Sequence, residues 1–252
     1  MLTVRIIPCL DVRDGRVVKG IKFQGLKDAG SPPDLVAAYE EQGADEITML
    51  DVSATPEGRA TAVETVKKIR ANMALPLTVG GGIRNVDNAS RLLDAGADKV
   101  SVNTAGVERP ELLTELAERF GRQCTVIAID AAARENGEGF EVVTMSGTRR
   151  TGIDAVEWAK EAEMRGAGEI LLTSWDKDGT KSGYDLPMIS AIAAVVRVPI
   201  IASGGAATPL HMVEAVKAGA DAVLAASIFH YGEYTVASLK AELRDMGLEV
   251  RL

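Results

Sequence analysis

PLTVGGGIRNVDNASRLLDAGADKVSVNT, residues 76–104, reads as a complete βαβ unit. Leu77-Thr78-Val79 is a short β-branched run that enters Gly80-Gly81-Gly82, a helix-patterned segment starts near Asn85, and Gly96-Ala97-Asp98 leads into a second apolar run ending at Asn103. The same order returns at 199–227 as PIIASGGAATPLHMVEAVKAGADAVLAAS. Gly81-Gly82 maps onto Gly204-Gly205, Val100 onto Val223 and Asn103-Thr104 onto Ala226-Ser227, all with a shift of 123 residues.

Outward from these two stretches the alternation fills the chain. Strands are expected near 5–11, 46–51, 76–80, 98–103, 124–130, 169–174, 198–203 and 221–226, each followed by a loop and a helical pattern. Eight units in 252 residues average about 31 residues each, the size of a repeat in an eight-stranded βα barrel. The rival is an open doubly wound sheet, which has fewer strands and a glycine-rich dinucleotide turn after the first one. Here the first strand ends in Asp11-Val12-Arg13-Asp14-Gly15 instead. Ser31-Pro32-Pro33-Asp34 and Thr208-Pro209 mark helix starts. Gly43, Gly96, Gly166 and Gly219 each open a Gly-Ala-x triplet before a strand and read as left-handed helix ends, with 53 residues between the members of each pair. Asp11 and Asp130 lie 119 apart and correspond once a length difference in the early loops is allowed. The expected fold is one (βα)8 TIM barrel over residues 1–252, built from two homologous half-barrels of approximately 1–122 and 123–252.

Composition narrows the function. With 46% hydrophobic and 25% charged residues the chain is an ordinary globule. A net charge of −8, from 28 basic and 36 acidic residues, argues against nucleic acid as a partner, and an aromatic content of 4% argues against base stacking. Every apolar run is interrupted before membrane-spanning length, and Met1 to Leu10 carries Arg5 inside its apolar stretch, so neither a membrane span nor a signal peptide is read and a cytoplasmic protein is expected. Cys9, Cys124, His211 and His230 supply no disulfide framework or zinc set, and no metal or cofactor is expected. The two cysteines read as small packing groups.

Chemistry in such a barrel sits at the C-terminal strand ends. Asp11 and Asp130 each end an apolar run, where a carboxylate is costly unless it functions, and their equivalence sets them across one mouth as a general acid and base pair. Asp51 and Asp176 read as loop caps. Asp176 to Thr180 resembles a calcium loop only superficially, because the later ligands do not follow. Gly80-Gly81-Gly82 with Asn103-Thr104-Ala105, and Ser203-Gly204-Gly205 with Ala226-Ser227, suggest two anion cradles and a substrate with a phosphate at each end. Residues 13–30 form an unusually long first loop, a lid or hairpin bearing Arg13, Arg16, Lys19, Lys22 and Lys27, of which Lys19 is the preferred functional cation. At the opposite ends of the strands, Arg5, Glu46, Lys99 and Glu169 alternate in sign and suggest an ionic ring.

Ile7 to Val12 with Gly15 to Gly20, Leu77 to Arg84, Asp98 to Thr104 and Asp176 to Lys181 resemble the cyclase subunit of imidazole glycerol phosphate synthase, a likeness running from residue 3 to Leu252. The resemblance implies a lyase of histidine biosynthesis that closes the bis-phosphorylated ribulosyl nucleotide PRFAR with ammonia into imidazole glycerol phosphate and AICAR. It implies a glutaminase subunit docked on the N-terminal face of the barrel to form a heterodimer. By the same resemblance Asp11 is the principal base and Asp130 the acid. Gly82, Asn103 and Thr104 hold one phosphate, Asp178, Gly179, Gly204, Gly205, Ala226 and Ser227 the other, Ser146 and Thr173 join the substrate-binding set, and Lys19 closes over the substrate. Arg5, Glu46, Lys99 and Glu169 become the ammonia gate. Trp175, Ala132-Ala133 and Ser31 depart from the family pattern, which carries Met or Ile, basic residues and Asp at those places. The alternatives are the phosphoribosyl isomerase of the preceding step, and an engineered or reconstructed barrel scaffold that mainly binds a glutaminase. Cys9-Leu10-Asp11 and Asp178-Gly179-Thr180-Lys181 favour the cyclase.

Overall fold

Alternation along the first strand, β1 (Arg5–Arg13), sorts its side chains between two environments. Ile6, Leu10 and Val12 join the large apolar layer between sheet and helices, while Ile7 and Cys9 join a smaller cluster inside the barrel. The computed structural model describes residues 3–21, 24–55, 57–58, 61–135 and 137–252. After β1 come a hairpin of β2 (Arg16–Ile21) and β3 (Gln24–Gly30), then α1 (Pro32–Glu41), β4 (Ile47–Asp51), α2 (Val63–Arg70), β5 (Leu77–Gly80), α3 (Val86–Asp94), β6 (Lys99–Val102), α4 (Thr104–Glu108) and α5 (Glu111–Phe120). The second part runs β7 (Thr125–Ala133), a hairpin of β8 (Phe140–Thr144) and β9 (Arg149–Asp154), α6 (Ala155–Met164), β10 (Glu169–Ser174), α7 (Leu186–Ala193), β11 (Ile200–Ser203), α8 (Pro209–Lys217), β12 (Ala222–Ala225), α9 (Ser227–His230) and α10 (Val236–Asp245).

Eight of these strands pair in parallel in the order β1-β4-β5-β6-β7-β10-β11-β12 and return to β1, where Arg5 to Pro8 pair with Ala222 to Ala225. The sheet is therefore a closed (βα)8 barrel, and all its strands deliver their C-terminal ends to one mouth. The two hairpins continue β1 and β7 antiparallel at that mouth. The described residues of 13–30 thus pair as the hairpin alternative of the long-loop reading. Arg16 in it is taken up by a two-pronged pair with Asp28, both contacts at 2.8 Å.

Local contacts recur at the 123-residue interval. Leu77 N–H donates to Asp98 Oδ2 at 2.8 Å and Ile200 N–H to Asp221 Oδ2 at 2.9 Å. Ile47 N–H and Ile170 N–H reach Pro76 and Pro199 carbonyls, each at 2.9 Å. Asn85 caps α3 and Thr208 caps α8 through their side chains. Ser31 stands at the N-cap of α1 without a side-chain capping bond. Gly43, Gly96, Gly166 and Gly219 all have positive φ, as helix ends in the left-handed conformation require. Among the described residues no helix is long and apolar enough to cross a membrane.

Among the described residues, one ion pair is buried outside the barrel. Lys240 of α10, 2% exposed, meets Asp45 Oδ1 at 2.9 Å and the Gly43 carbonyl at 2.6 Å, while Asp45 Oδ2 accepts Ile6 N–H at 2.8 Å. This links the last helix to the first two barrel strands. Lys240→Ala leaves the Asp45 carboxylate buried without its cation and is expected to lower the unfolding free energy by about 3–5 kcal/mol, measured by urea denaturation.

Candidate active site

The mouth is lined from both parts of the chain by backbone turns and by strand-end carboxyls. Asp11 leaves β1 pointing inward and is 2% exposed; Cys9, two residues earlier on the same face, brings its Sγ to 3.8 Å from Asp11 Oδ1. Asp130 leaves β7 on the inward face. Its Oδ2 accepts from Asn103 Nδ2 at 2.9 Å, and the Thr173 hydroxyl, beside it in register on β10, also donates to it. Burial pushes the Asp130 carboxyl up to about 7, helped by Asp178 and, less, by Asp11, against the lowering effect of the Asn103 and Thr173 hydrogen bonds. A carboxyl in this range is neutral in mildly acidic solution and is suited to donate a proton near neutrality.

Around these two residues the cavity wall contains Gly82, Asn103, Thr104 and Ser146 on one side. Thr173, Asp178, Gly179, Gly204, Gly205, Ala226 and Ser227 line the other. Lys19 lies in β2 opposite Lys27, but its side chain, and the whole of Lys22, fall outside the described residues.

The glycine turns are shaped by close approach. A Cβ on Gly81 would land on the backbone of Asp51 and one on Gly204 on the backbone of Ser174, and both have φ near +90°. The first turn is braced by the loop after β4: Gly82 N–H donates to Thr55 Oγ1 at 3.1 Å and the Thr61 hydroxyl donates to the Gly81 carbonyl. The second is braced by Gly183 N–H, which donates to the Gly205 carbonyl at 2.9 Å. Asp51 and Asp176 act as loop caps: Asp51 accepts from Ala54 N–H at 3.1 Å and Ala62 N–H at 3.3 Å, and Asp176 from Ala133 N–H at 2.8 Å.

At the other end of the lumen the four alternating charges close into a ring. Arg5 reaches Glu46 at 2.8 Å and Glu169 at 2.5 Å, and Lys99 reaches Glu46 at 3.0 Å and Glu169 at 2.7 Å. Thr78 Oγ1 adds a bond to Glu46 at 2.7 Å. Burial works against the charged guanidinium of Arg5, but Glu169 and Glu46 outweigh it and its pKa is raised. Between ring and mouth lies the inner apolar cluster, including Ile7, Val126, Ala128, Leu171, Ile201 and Leu224.

Sequence reasoning passed over several wall residues. Cys9 and Ser101 form part of the cavity floor, and Arg84 and Lys181 bring positive charge to its rim. Cys9 and Ser101 carried a usable signal, since each lies two residues before a singled-out position and therefore on the same face of its strand.

A family model described as histidine biosynthesis protein matches residues 5–235. The chain is 56% identical over 255 aligned positions to the imidazole glycerol phosphate synthase subunit HisF of Nocardia farcinica and 54% identical to that of Corynebacterium diphtheriae, with 99% of each chain covered in both cases. The chain belongs to the HisF family of imidazole glycerol phosphate synthase subunits. In this HisF-family barrel Asp178 acts on Asp130 as a like charge. Its proximity disfavours the ionised form of Asp130.

Asp130 also makes stability depend on pH in a stated direction. The folded protein keeps this proton up to about pH 7, whereas an unfolded aspartate loses it near 3.8, so the buried carboxyl costs increasing stability as pH rises between those values. Asp130→Asn is expected to raise the Tm more at pH 8 than at pH 4. An equal gain at both would refute a neutral buried acid.

Proposed function

We propose that this protein is the cyclase subunit of imidazole glycerol phosphate synthase. It closes PRFAR with ammonia into imidazole glycerol phosphate with release of AICAR. The observation that carries the reading is the meeting of Asp11 and Asp130 in one cavity whose opposite sides are glycine turns with inward backbone. Gly82, Asn103 and Thr104, with Ser146 above them, take one phosphate. Gly179, Gly204, Gly205, Ala226 and Ser227, with the backbone of Asp178, take the other, and Lys19 covers the substrate from the first hairpin. Two fixed ends set the reacting centre between the two carboxyls, so that proximity replaces a chance encounter. Asp11 is the principal base and Asp130 the acid, exchanging protons with the substrate through addition of ammonia, ring closure and elimination. Thr173 and Asn103 hold the Asp130 carboxyl in place.

Ammonia enters from a glutaminase subunit docked on the N-terminal face, in a cytoplasmic heterodimer, and Arg5, Glu46, Lys99 and Glu169 form its gate. The closed ion ring and the apolar lumen above it support this route: a neutral molecule crosses an apolar lumen at less cost than a charged one. We also infer that the barrel is two fused halves of about 1–122 and 123–252. The recurring caps, glycine turns and hairpins support that reading.

Supplied with PRFAR and ammonium, the protein is expected to release AICAR, followed by absorbance; a folded protein releasing none sinks the proposal. Asp11→Asn and Asp130→Asn are each expected to abolish turnover while substrate still binds. Normalised to free ammonia, the rate is expected to fall as pH rises above about 7 because Asp130 loses its proton. Two bound phosphates push that midpoint higher in the substrate complex, so the fall in kcat lies at higher pH than the fall in kcat/KM.

A further inference from the structure

The tip between β8 and β9 turns on Met145, Ser146 and Gly147, whose φ angles are 54°, 54° and 78°. Two successive side-chain-bearing residues in the left-handed region persist only where neighbours hold them. Three contacts do so. Met145 N–H donates to Thr104 Oγ1 at 3.0 Å, and Ser146 Oγ donates to the Val52 carbonyl at 3.5 Å. The third is the indole of Trp175, which covers Gly147 so closely that a Cβ there would fall among the atoms of its six-membered ring. The tip so held places Met145 and Ser146 in the cavity wall with Gly82 and Thr104. Trp175 is itself anchored from the other side of the mouth. It follows the last residue of β10, its N–H donates to the Ala131 carbonyl at 2.8 Å, and Asp178 and Gly179 of the second cradle stand three and four residues further on.

We propose that Trp175 is a positioning residue for the first phosphate site: seated on Gly147, it holds the strained tip over Gly82 and Thr104 and ties that site to the loop of the second. The inference rests on the cyclase reading. Met or Ile, which the family pattern carries here, offers no flat ring of this breadth to lie over a glycine.

The test is steady-state kinetics with PRFAR and ammonium. Trp175→Ala is expected to raise KM about tenfold with kcat within about twofold, because the tip binds substrate and transition state alike. Trp175→Phe should recover most of the loss, and Gly147→Ala should reproduce it by displacing the ring. Since Trp158 is the only other tryptophan, Trp158→Phe leaves Trp175 as the sole indole, whose emission is expected to shift on PRFAR binding. Trp175→Ala with a lowered Tm but an unchanged KM, or a silent Trp175 in an enzyme that turns over, overturns the proposal. A wild-type protein whose emission responds to PRFAR without AICAR release instead overturns the cyclase reading alone.

Discussion

Pairing of Arg5 to Pro8 with Ala222 to Ala225 joins the first barrel strand to the last, and every feature of the site depends on that closure. An open sheet would leave β1 and β12 as edges and spread the loops along a line. Closed, the sheet has an inside, and alternation sends every second residue of each strand into it. Arg5, Ile7, Cys9 and Asp11 thereby sit at successive depths of one lumen, as do Glu46, Thr48 and Leu50 on β4 and its approach, and Lys99 and Ser101 on β6. The helices pack over the apolar layer that holds this cylinder shut, and two of them, α4 and α9, open at the mouth with Thr104 and Ser227.

The two ends of the lumen treat buried carboxyls in opposite ways. At the bottom, Glu46 and Glu169 each lie between Arg5 and Lys99, so four charges removed from water compensate one another in a ring. At the top, the neighbours named for Asp130 are an amide, a hydroxyl and two other carboxyls. Burial then acts against the ionised form, and the group holds its proton to about pH 7. Residue type does not separate a carboxyl that keeps its proton from half of a salt bridge. The partners that closure brings to it do.

This difference explains what was legible in the sequence. Strand positions were readable to within three residues, the largest miss being the end of β7, because β-branched runs and glycine punctuation are local signals, and the glycines at 43, 81, 82, 96, 166, 204, 205 and 219 all take the positive φ their turns demand. The second hairpin was not readable. Arg149 to Asp154 is mostly exposed and lacks alternation, and its tip uses Met145 and Ser146 rather than glycine for two of its left-handed positions. Nor was the bond from Asn103 to Asp130. The Asn103 side-chain amide reaches across from the end of β6 to the neighbouring strand, a contact set by register and not by spacing along the chain.

On the half-barrel reading, that register carries a further consequence. Asp130 is opposite Thr173 on β10, as Asp11 is opposite Leu50 on β4, and 173 and 50 differ by the repeat interval of 123. Asn103 corresponds to Ala226, and the two share nearly the same backbone, with φ of −125° and −126°. Asp178 corresponds to Thr55. Asn103, Thr173 and Asp178 around Asp130 thus have Ala226, Leu50 and Thr55 as counterparts in the other half, none of them charged. The fold repeats the glycine turns, which are built of backbone, while side chains at three equivalent positions differ. Two carboxyls that the repeat makes equivalent in place are thereby given unlike surroundings, which is what the proposed division into an acid and a base asks of them.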